Sequence, residues 1–494
     1  MSSGWSLLLR QVRVVPLDGT TAGEPADVLI EDGVITEVGR AARPHGVPQV
    51  SCRGRWLIPG LWDAHVHLGQ WALSRRRLDL SGTSSPEEVL ALVARAARAG
   101  RAGRPVVGMG QRAGTWTREV TVAELDAACG DRPVVLVNGD FHHGWLNTAA
   151  LDALGLARRD GVVAETEWFA AYPRVVVLEG AATPADYRQV LSDATACGVT
   201  GLVDFEFEAP YRDWAQRWHE GCDLLRVRWS PYAGQLGTVR EAGLRDGAPL
   251  PGADARLTAG SLKIISDGSL GTRTAWCCEP YADTGGRGAP NQSPGELTAL
   301  IAEGRDAGLR VATHAIGDRA LQVALAVYAA TGASGSIEHA QLTTDGTIAD
   351  LARLGLTASV QPAHLLDDHE TTDRVWADRA DRCFTFRSML DKGVSLAFGS
   401  DAPVAPLDPW LAIATAVHRG RPGDEPWHHE QVITPAEAIA ASVDGRRVAV
   451  GQPGDVALLD ADPLAVDAAR LTAMRSALTC VAGRVVHDAL GSAS

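Results

Sequence analysis

Apolar and polar positions alternate loosely along the N-terminal stretch. SLLLRQVRVVPL carries the period of two of a half-buried strand, and ADVLIEDGVITEVG reads as two strands joined at an Asp-Gly turn. QVSCRGRWLIPG adds another strand, and near the other end GDVALLDADPL and LTCVAGRVVHD have the same texture. Strand-rich stretches at both ends predict one small β-sandwich domain built from residues 1–58 plus 444–494. The alternative is two unrelated terminal hairpins.

The middle of the chain alternates buried strands with amphipathic helices. Apolar runs at 57–67, 196–207, 224–234, 257–269, 308–318, 334–342, 355–364 and 393–403 count as eight strands, each followed by a connection. Helices between them carry start signals: Thr183 with Pro184, and Ser293 with Pro294, are N-cap and first-turn pairs. Number and order predict an α/β fold, a (β/α)8 TIM-like barrel over 59–443. Residues 86–180 fall outside the count and read as an inserted α/β segment after barrel strand one, with RPVVGMGQ and RPVVLVNGD as strands of its own. A mixed α/β protein without a closed barrel is the alternative.

Composition narrows the partners. With 46% hydrophobic and 21% charged residues, the 494-residue chain has an ordinary globular balance. A net charge of −14 argues against nucleic acid or an anionic membrane as main partner, because both select clustered Lys and Arg. MSSGWSLLLRQVRVV lacks a basic stretch followed by a long apolar run, so no secretory leader is read, and no run is long enough to span a bilayer. Eight scattered cysteines without zinc-site spacing suit free thiols in a reducing, cytoplasmic setting. Fourteen tryptophans against seven Phe and six Tyr are unusual, and Trp71, Trp116, Trp145, Trp276 and Trp376 sit beside candidate loops where they would line an apolar pocket.

Function in such a barrel sits at the C-terminal strand ends. There the sequence places His65 and His67 (WDAHVHL), Lys263 (SLKIISDG), His314 (VATHAIGD), His339 (SIEHAQ) and Asp401 (AFGSDAP). His65 and His67 are two apart, so on a strand both imidazoles face one side. Each residue alone is more often structural. Four histidines and a carboxylate at equivalent strand ends point to a divalent metal.

At these positions the chain resembles the amidohydrolase superfamily, and within it the branch of N-substituted formamide deformylases and related N-acyl hydrolases. The resemblance rests on VLIEDGVITEVG, PGLWDAHVHL, NGDFHHGWLNTAAL, LKIISDGSLGTRTA, THAIGDRAL, IEHAQL and FGSDAPV. The closing GQPGDVALLDADPL departs from the family in having Gly454 before Asp455 where Ala-Asp is usual. The resemblance implies that His65, His67, Lys263, His314, His339 and Asp401 hold one or two divalent ions, zinc by expectation. An ammonium cannot ligate a cation as it stands, and in binuclear members the lysine is carboxylated and bridges the metals. The resemblance extends that expectation to Lys263; the alternative is a lysine that binds a substrate carboxylate or closes a salt bridge.

The expected activity is hydrolysis of a C–N bond, amide or formamide-like, in a small molecule. Water activated by the ion attacks the carbonyl carbon, and Asp401 acts as general base. A deaminase or cyclic-amide hydrolase is the runner-up, and a catalytically silent binding scaffold is the reading from another class. The substrate contacts expected are Asp140 and His142 in the NGDFHHGWLN segment, Asp267 and Arg273 in DGSLGTRTAW, His364 after strand seven, and Trp71 and Trp276. Glu165 reads as part of a loop over the site, while Asn147 matches the same segment as His142. A homodimer is the default assembly.

Overall fold

The computed structural model describes residues 5–491 apart from 21, 41–44, 100–103 and 208. Residues 1–4, part of the stretch read for a leader, lie outside the described residues. One eight-stranded sheet unites both ends of the chain. Leu7–Val14, Ala26–Glu31, Val34–Gly39, Gln49–Ser51 and Trp56–Pro59 join Val456–Leu459, Ser476–Val481 and Arg484–Asp488. Trp56–Pro59 pairs antiparallel with Val456–Leu459, which is where the two termini meet. Asp32 and Gly33 take φ of 49° and 80°, the left-handed pair that a tight hairpin needs. A Cβ on Gly454 would come within 2.5 Å of Ile30 Cγ2, so this chain's departure from Ala-Asp fits a closer local packing.

The central architecture is α/β, with parallel sheets consistent with a TIM-like barrel. Leu61–Val66, Val199–Asp204, Arg226–Trp229 and Leu257–Ala259 form a four-stranded sheet. Leu262–Ile265, Val311–Ala315, Gly335–His339, Thr357–Val360 and Leu396–Phe398 form a five-stranded one. Two expected strands are broken. The run at 57–67 divides at Gly60, where a Cβ would lie 2.2 Å from the Thr200 side chain, and its first half joins the terminal sheet. The run at 257–269 divides between Leu257–Ala259 and Leu262–Ile265. Backbone hydrogen bonds link the two sheets at both margins: Lys263 N to Pro231 O at 2.8 Å, Asp401 N to His65 O at 2.7 Å and His67 N to Ala402 O at 2.9 Å.

Helices pack outside these strands where their signals fall. Thr183 and Ser293 cap Pro184–Ala196 and Pro294–Asp306 through their hydroxyls, and Asp186 and Glu296 complete capping boxes. Each cap contributes about 1 kcal/mol. Asp318–Thr331 and Asp345–Leu354 stop at Gly332 and Gly355, both left-handed.

A further mixed sheet lies largely within the segment read as an insertion, with one strand just before it. Leu78–Asp79, Val106–Met109 and Val134–Val137 pair in parallel, then His143–Leu146 and Val163–Ala164 add antiparallel. The last two strands and the helix Glu165–Glu179 were not expected from the sequence. Among the described residues, no helix is long and apolar enough to cross a membrane.

Candidate active site

The strand Leu61–Val66 and the residue after it deliver two imidazoles to one side. His65 is the penultimate residue of the strand LWDAHV and His67 follows the strand, with ring centroids 5.6 Å apart. The chain turns at once into the helix Leu68–Ser74, whose first turn is held by carboxylates: Leu68 N donates to Asp204 Oδ1 and Gln70 N to Glu206 Oε2. Asp63 accepts from His65 N at 3.1 Å and from Ser400 N at 2.9 Å, tying the His65 backbone to the segment that carries Asp401.

Glu338 and His339 are consecutive, and in a regular strand they would face opposite sides. Here both reach the site. Glu338 points inward and meets His65 Nδ1 at 2.8 Å, while His339 takes φ of 70° and Ala340 φ of 41°, swinging the imidazole to within a 5.2 Å centroid distance of His65. Asp401 also sits in the left-handed region, at φ of 55°. Non-glycine residues held there cost energy, and they cluster where function over-determines the backbone.

The donor atoms converge. Asp401 Oδ1 lies 3.4 Å from His65 Nε2 and 3.3 Å from His67 Nε2, and Lys263 Nζ lies 3.3 Å from His65 Nε2. His314 and His339 rings are 4.5 Å apart, and His364 stacks on His339 with its Nε2 3.9 Å from Asp401 Oδ2. These carboxylate–imidazole separations are long for charge-assisted hydrogen bonds, which run about 2.7–2.9 Å. They match the spacing of two donors each about 2.1 Å from a shared tetrahedral ion, which is roughly 3.4 Å. Ligand atoms of His65, His339 and Asp401 all lie within 4.8 Å of one another. The donor set therefore fits a divalent cation.

Electrostatics favour the ligating forms. Burial, reinforced by the Lys263 charge, holds His65 well below its usual pKa and takes His314 down to about 3. Burial and the neighbouring His314 and Lys263 charges do the same to His339. A neutral imidazole keeps a lone pair for a metal. Burial lowers Lys263 to about 8. Burial would raise Asp401, but the nearby His67 imidazole, with the charges of His364 and Lys263, outweighs it and keeps the carboxylate ionised.

These groups floor a cleft. Its walls are largely apolar: Phe141, Phe169, Phe207, Ile265, Leu270 and Ile316. Phe207 stacks on His67 at 4.9 Å and leans on Phe169 at 6.1 Å. Asp140, His142 and His364 line the same cleft. His142 Nδ1 is 3.1 Å from Glu165 Oε2, and Asp140 Oδ1 accepts from His142 N and Asn138 Nδ2.

Four expected substrate contacts are placed elsewhere. Asp267 is fully buried and accepts the backbone N–H groups of Ile316, Gly317 and Trp276, and burial pushes its pKa up to about 7. It stands 3.5 Å from His314 Nε2, whose nearer partner is Gly268 O at 3.2 Å. Arg273 is turned outward to Asp283, at 2.9 Å. Trp276 lies off the cleft wall, with Arg319 over its ring. Trp71 faces a neighbouring cleft with Arg75 over its ring. Of the other tryptophans, Trp145 and Trp376 are core residues. Asn147 caps the helix Thr148–Ala153 and bonds Val134 N, a structural task.

The sequence reading missed Glu338, Phe205, Phe207 and Gln361, whose Nε2 lies 3.4 Å from His65 Nδ1. Glu338 had one signal, its place beside His339 in the strand. Phe205 sits under Lys263, whose Nζ is 4.3 Å from the ring centroid.

Comparison with known proteins agrees with this geometry. The sequence profile of the amidohydrolase family matches residues 50–487. The chain is 28% identical to the protein YtcJ of Bacillus subtilis (strain 168), over 93% of this chain and 96% of that one. It is 26% identical to N-substituted formamide deformylase of Arthrobacter pascens, over 93% of each chain. A crystal structure of an uncharacterized metal-dependent hydrolase from Pyrococcus horikoshii OT3 superposes with a TM-score of 0.78 at 27% identity, covering 94% of this chain and 99% of that one. With its cluster of imidazoles and a carboxylate at the strand ends, this chain belongs to the amidohydrolase family, whose relatives here include metal-dependent hydrolases.

Proposed function

We propose that the protein hydrolyses a C–N bond, amide or formamide-like, in a small molecule carrying an apolar or aromatic N-substituent. The observation that carries this is the position of Asp401: one oxygen 3.3–3.4 Å from two imidazole nitrogens, at the floor of an aromatic-walled cleft. His65, His67, His314, His339 and Asp401 would hold the metal, zinc by expectation, with Lys263 beside them. When bound, a divalent ion makes water acidic near neutral pH and polarises a carbonyl. Asp401 takes the proton from the attacking water and returns it to the leaving nitrogen, because its first role leaves it protonated for its second. Phe169 and Phe207 hold the N-substituent away from water. Only the neutral amine of Lys263 can combine with CO2, and its depressed pKa supports carboxylation there.

The full barrel and the division into 1–58 plus 444–494, 59–443 and inserted 86–180 remain our reading of the architecture. The hydrogen bonds at both sheet margins support closure. The test of function is a panel of N-formyl, N-acyl and cyclic amides, assayed with zinc-loaded and chelator-treated protein. Turnover that zinc restores supports the proposal. A purified protein that holds no zinc and turns over none of the panel would instead be a binding scaffold.

A further inference from the structure

The cleft that Asp401 lines also holds an imidazole of different character. His142 belongs to the inserted segment, and its Nδ1 meets Glu165 Oε2 at 3.1 Å. The other oxygen of Glu165 accepts from Thr274 Oγ1 at 3.0 Å, so this carboxylate joins the insertion to the loop after barrel strand four. Glu165 N also donates to His142 O at 2.9 Å. With Nδ1 taken, Nε2 is the ring nitrogen left for the cleft that His142 lines.

The backbone is strained on both sides of this pair. Phe141, just before His142, has φ of 68°, and Glu165 itself has φ of 51°. Neither an aromatic residue nor a glutamate adopts that region without cost. Phe141 is clamped in it by Trp168, fully buried, whose Nε1 donates to Phe141 O at 2.8 Å. A polar turn with no task could relax to ordinary φ values. Here two strained residues converge on one carboxylate–imidazole contact that faces the cleft.

We propose that His142 is a catalytic residue, the hydrogen-bond donor through Nε2–H to the carbonyl oxygen as it gains negative charge, and that Glu165 is the positioning residue whose carboxylate holds the ring through Nδ1. This rests on the hydrolase reading above and gives the inserted segment a direct part in the chemistry. In the balanced step, water oxygen bonds the carbonyl carbon and one water proton goes to Asp401. The carbonyl π pair moves onto oxygen, where His142 Nε2–H receives it as a hydrogen bond without losing its proton. The pair then re-forms C=O, the C–N bond breaks, and the nitrogen leaves with the bonding pair and the Asp401 proton.

The surroundings agree. Burial would lower the His142 pKa, but Glu165, by hydrogen bond and charge, together with Asp140 and Asp401, raises it. The groups that act on the ring are the carboxylates of Glu165, Asp140, Asp401 and Asp267, against the imidazoles of His143, His314 and His339. Burial holds those last three imidazoles below their usual values, so they oppose the charge weakly.

The test uses zinc-loaded full-length protein with H142A and E165Q variants, and whichever amide of the panel is turned over. H142A should lower kcat about 10²–10³-fold, the loss seen when one oxyanion donor is removed, with KM changed less than threefold. E165Q should move the alkaline limb of the kcat profile to lower pH, because the ring loses the negative charge that keeps it protonated. Carbon-13 labelling of histidine rings gives a readout independent of turnover: the resonance missing in H142A should titrate above 6.5 in the parent and lower in E165Q. A kcat within threefold of the parent in H142A, or an E165Q protein whose limb and ring titration stay in place, overturns the proposal. A parent that turns over no amide refutes the hydrolase reading instead, and the ring titration still reports whether Glu165 holds the charge.

Discussion

Glu338 Oε2 lies 2.8 Å from His65 Nδ1, across 273 residues of chain. Ser336 Oγ holds the other Glu338 oxygen at 2.5 Å, so the carboxylate is fixed at both ends. It accepts a hydrogen bond from His65 Nδ1–H and so leaves the Nε2 lone pair facing Asp401 and Lys263. A carboxylate behind a ligating imidazole orients the ring and strengthens it as a donor.

Glu338→Gln should therefore weaken zinc binding 10–100-fold with little change in secondary structure. Competition against a calibrated chelator measures this directly. Parent-like affinity in the variant would mean that Glu338 serves barrel packing and not the metal centre.

Asp401→Asn should remove turnover by at least about 10²-fold, the lower range for a positioned acid–base group, and leave the fold intact. Zinc analysis and circular dichroism on the same sample separate lost chemistry from lost structure. A variant with the parent kcat would refute the general-base assignment.

Removing the metal should abolish turnover reversibly. Dialysis against chelator followed by zinc return is the measurement. Activity that persists through exhaustive chelation would rule out a metal-dependent step.

Asp204 supplies a pH prediction. Burial, with the Glu206 charge, raises its pKa to about 6, although it accepts from Leu68 N and Trp214 Nε1. The native state then holds a proton that the unfolded chain, at its ordinary 3.8, releases. Stability from this group is full below pH 3.8 and falls as pH rises to about 6. Urea unfolding from pH 4 to 7 should show this slope in the parent and its loss in Asp204→Asn. Parallel curves for the two proteins would contradict it.

Gly60→Ala should destabilise the protein by about 1–3 kcal/mol, the usual cost of overpacking. The new Cβ would meet Thr200 at 2.2 Å, where the terminal sheet hands over to the first barrel strand. Chemical denaturation measures the loss, and an unchanged midpoint would show that this junction can yield.

Much of this was legible in the sequence because the periodic signals are strong. His65 and His67 were readable as a same-side pair, and Thr183 and Ser293 marked helix starts that the structure retains. Gly60 and the Gly260–Ser261 break were not read as interruptions, since an apolar run does not show which sheet each half will join. Glu338 was missed because strand alternation assigns it and His339 to opposite faces, and only a positive φ overrides that. Asp267 was misplaced for a different reason: an acid in a Gly-rich loop looks exposed until the partners of its oxygens are seen.

The bonds from Asp401 N to His65 O and from His67 N to Ala402 O have a consequence for biosynthesis. Donor groups near the start of the chain stay incomplete until residues beyond position 400 have emerged from the ribosome. A nascent or truncated chain that stops short of that point cannot bring Asp401 against His65 and His67, so this juxtaposition belongs to the final stage of folding.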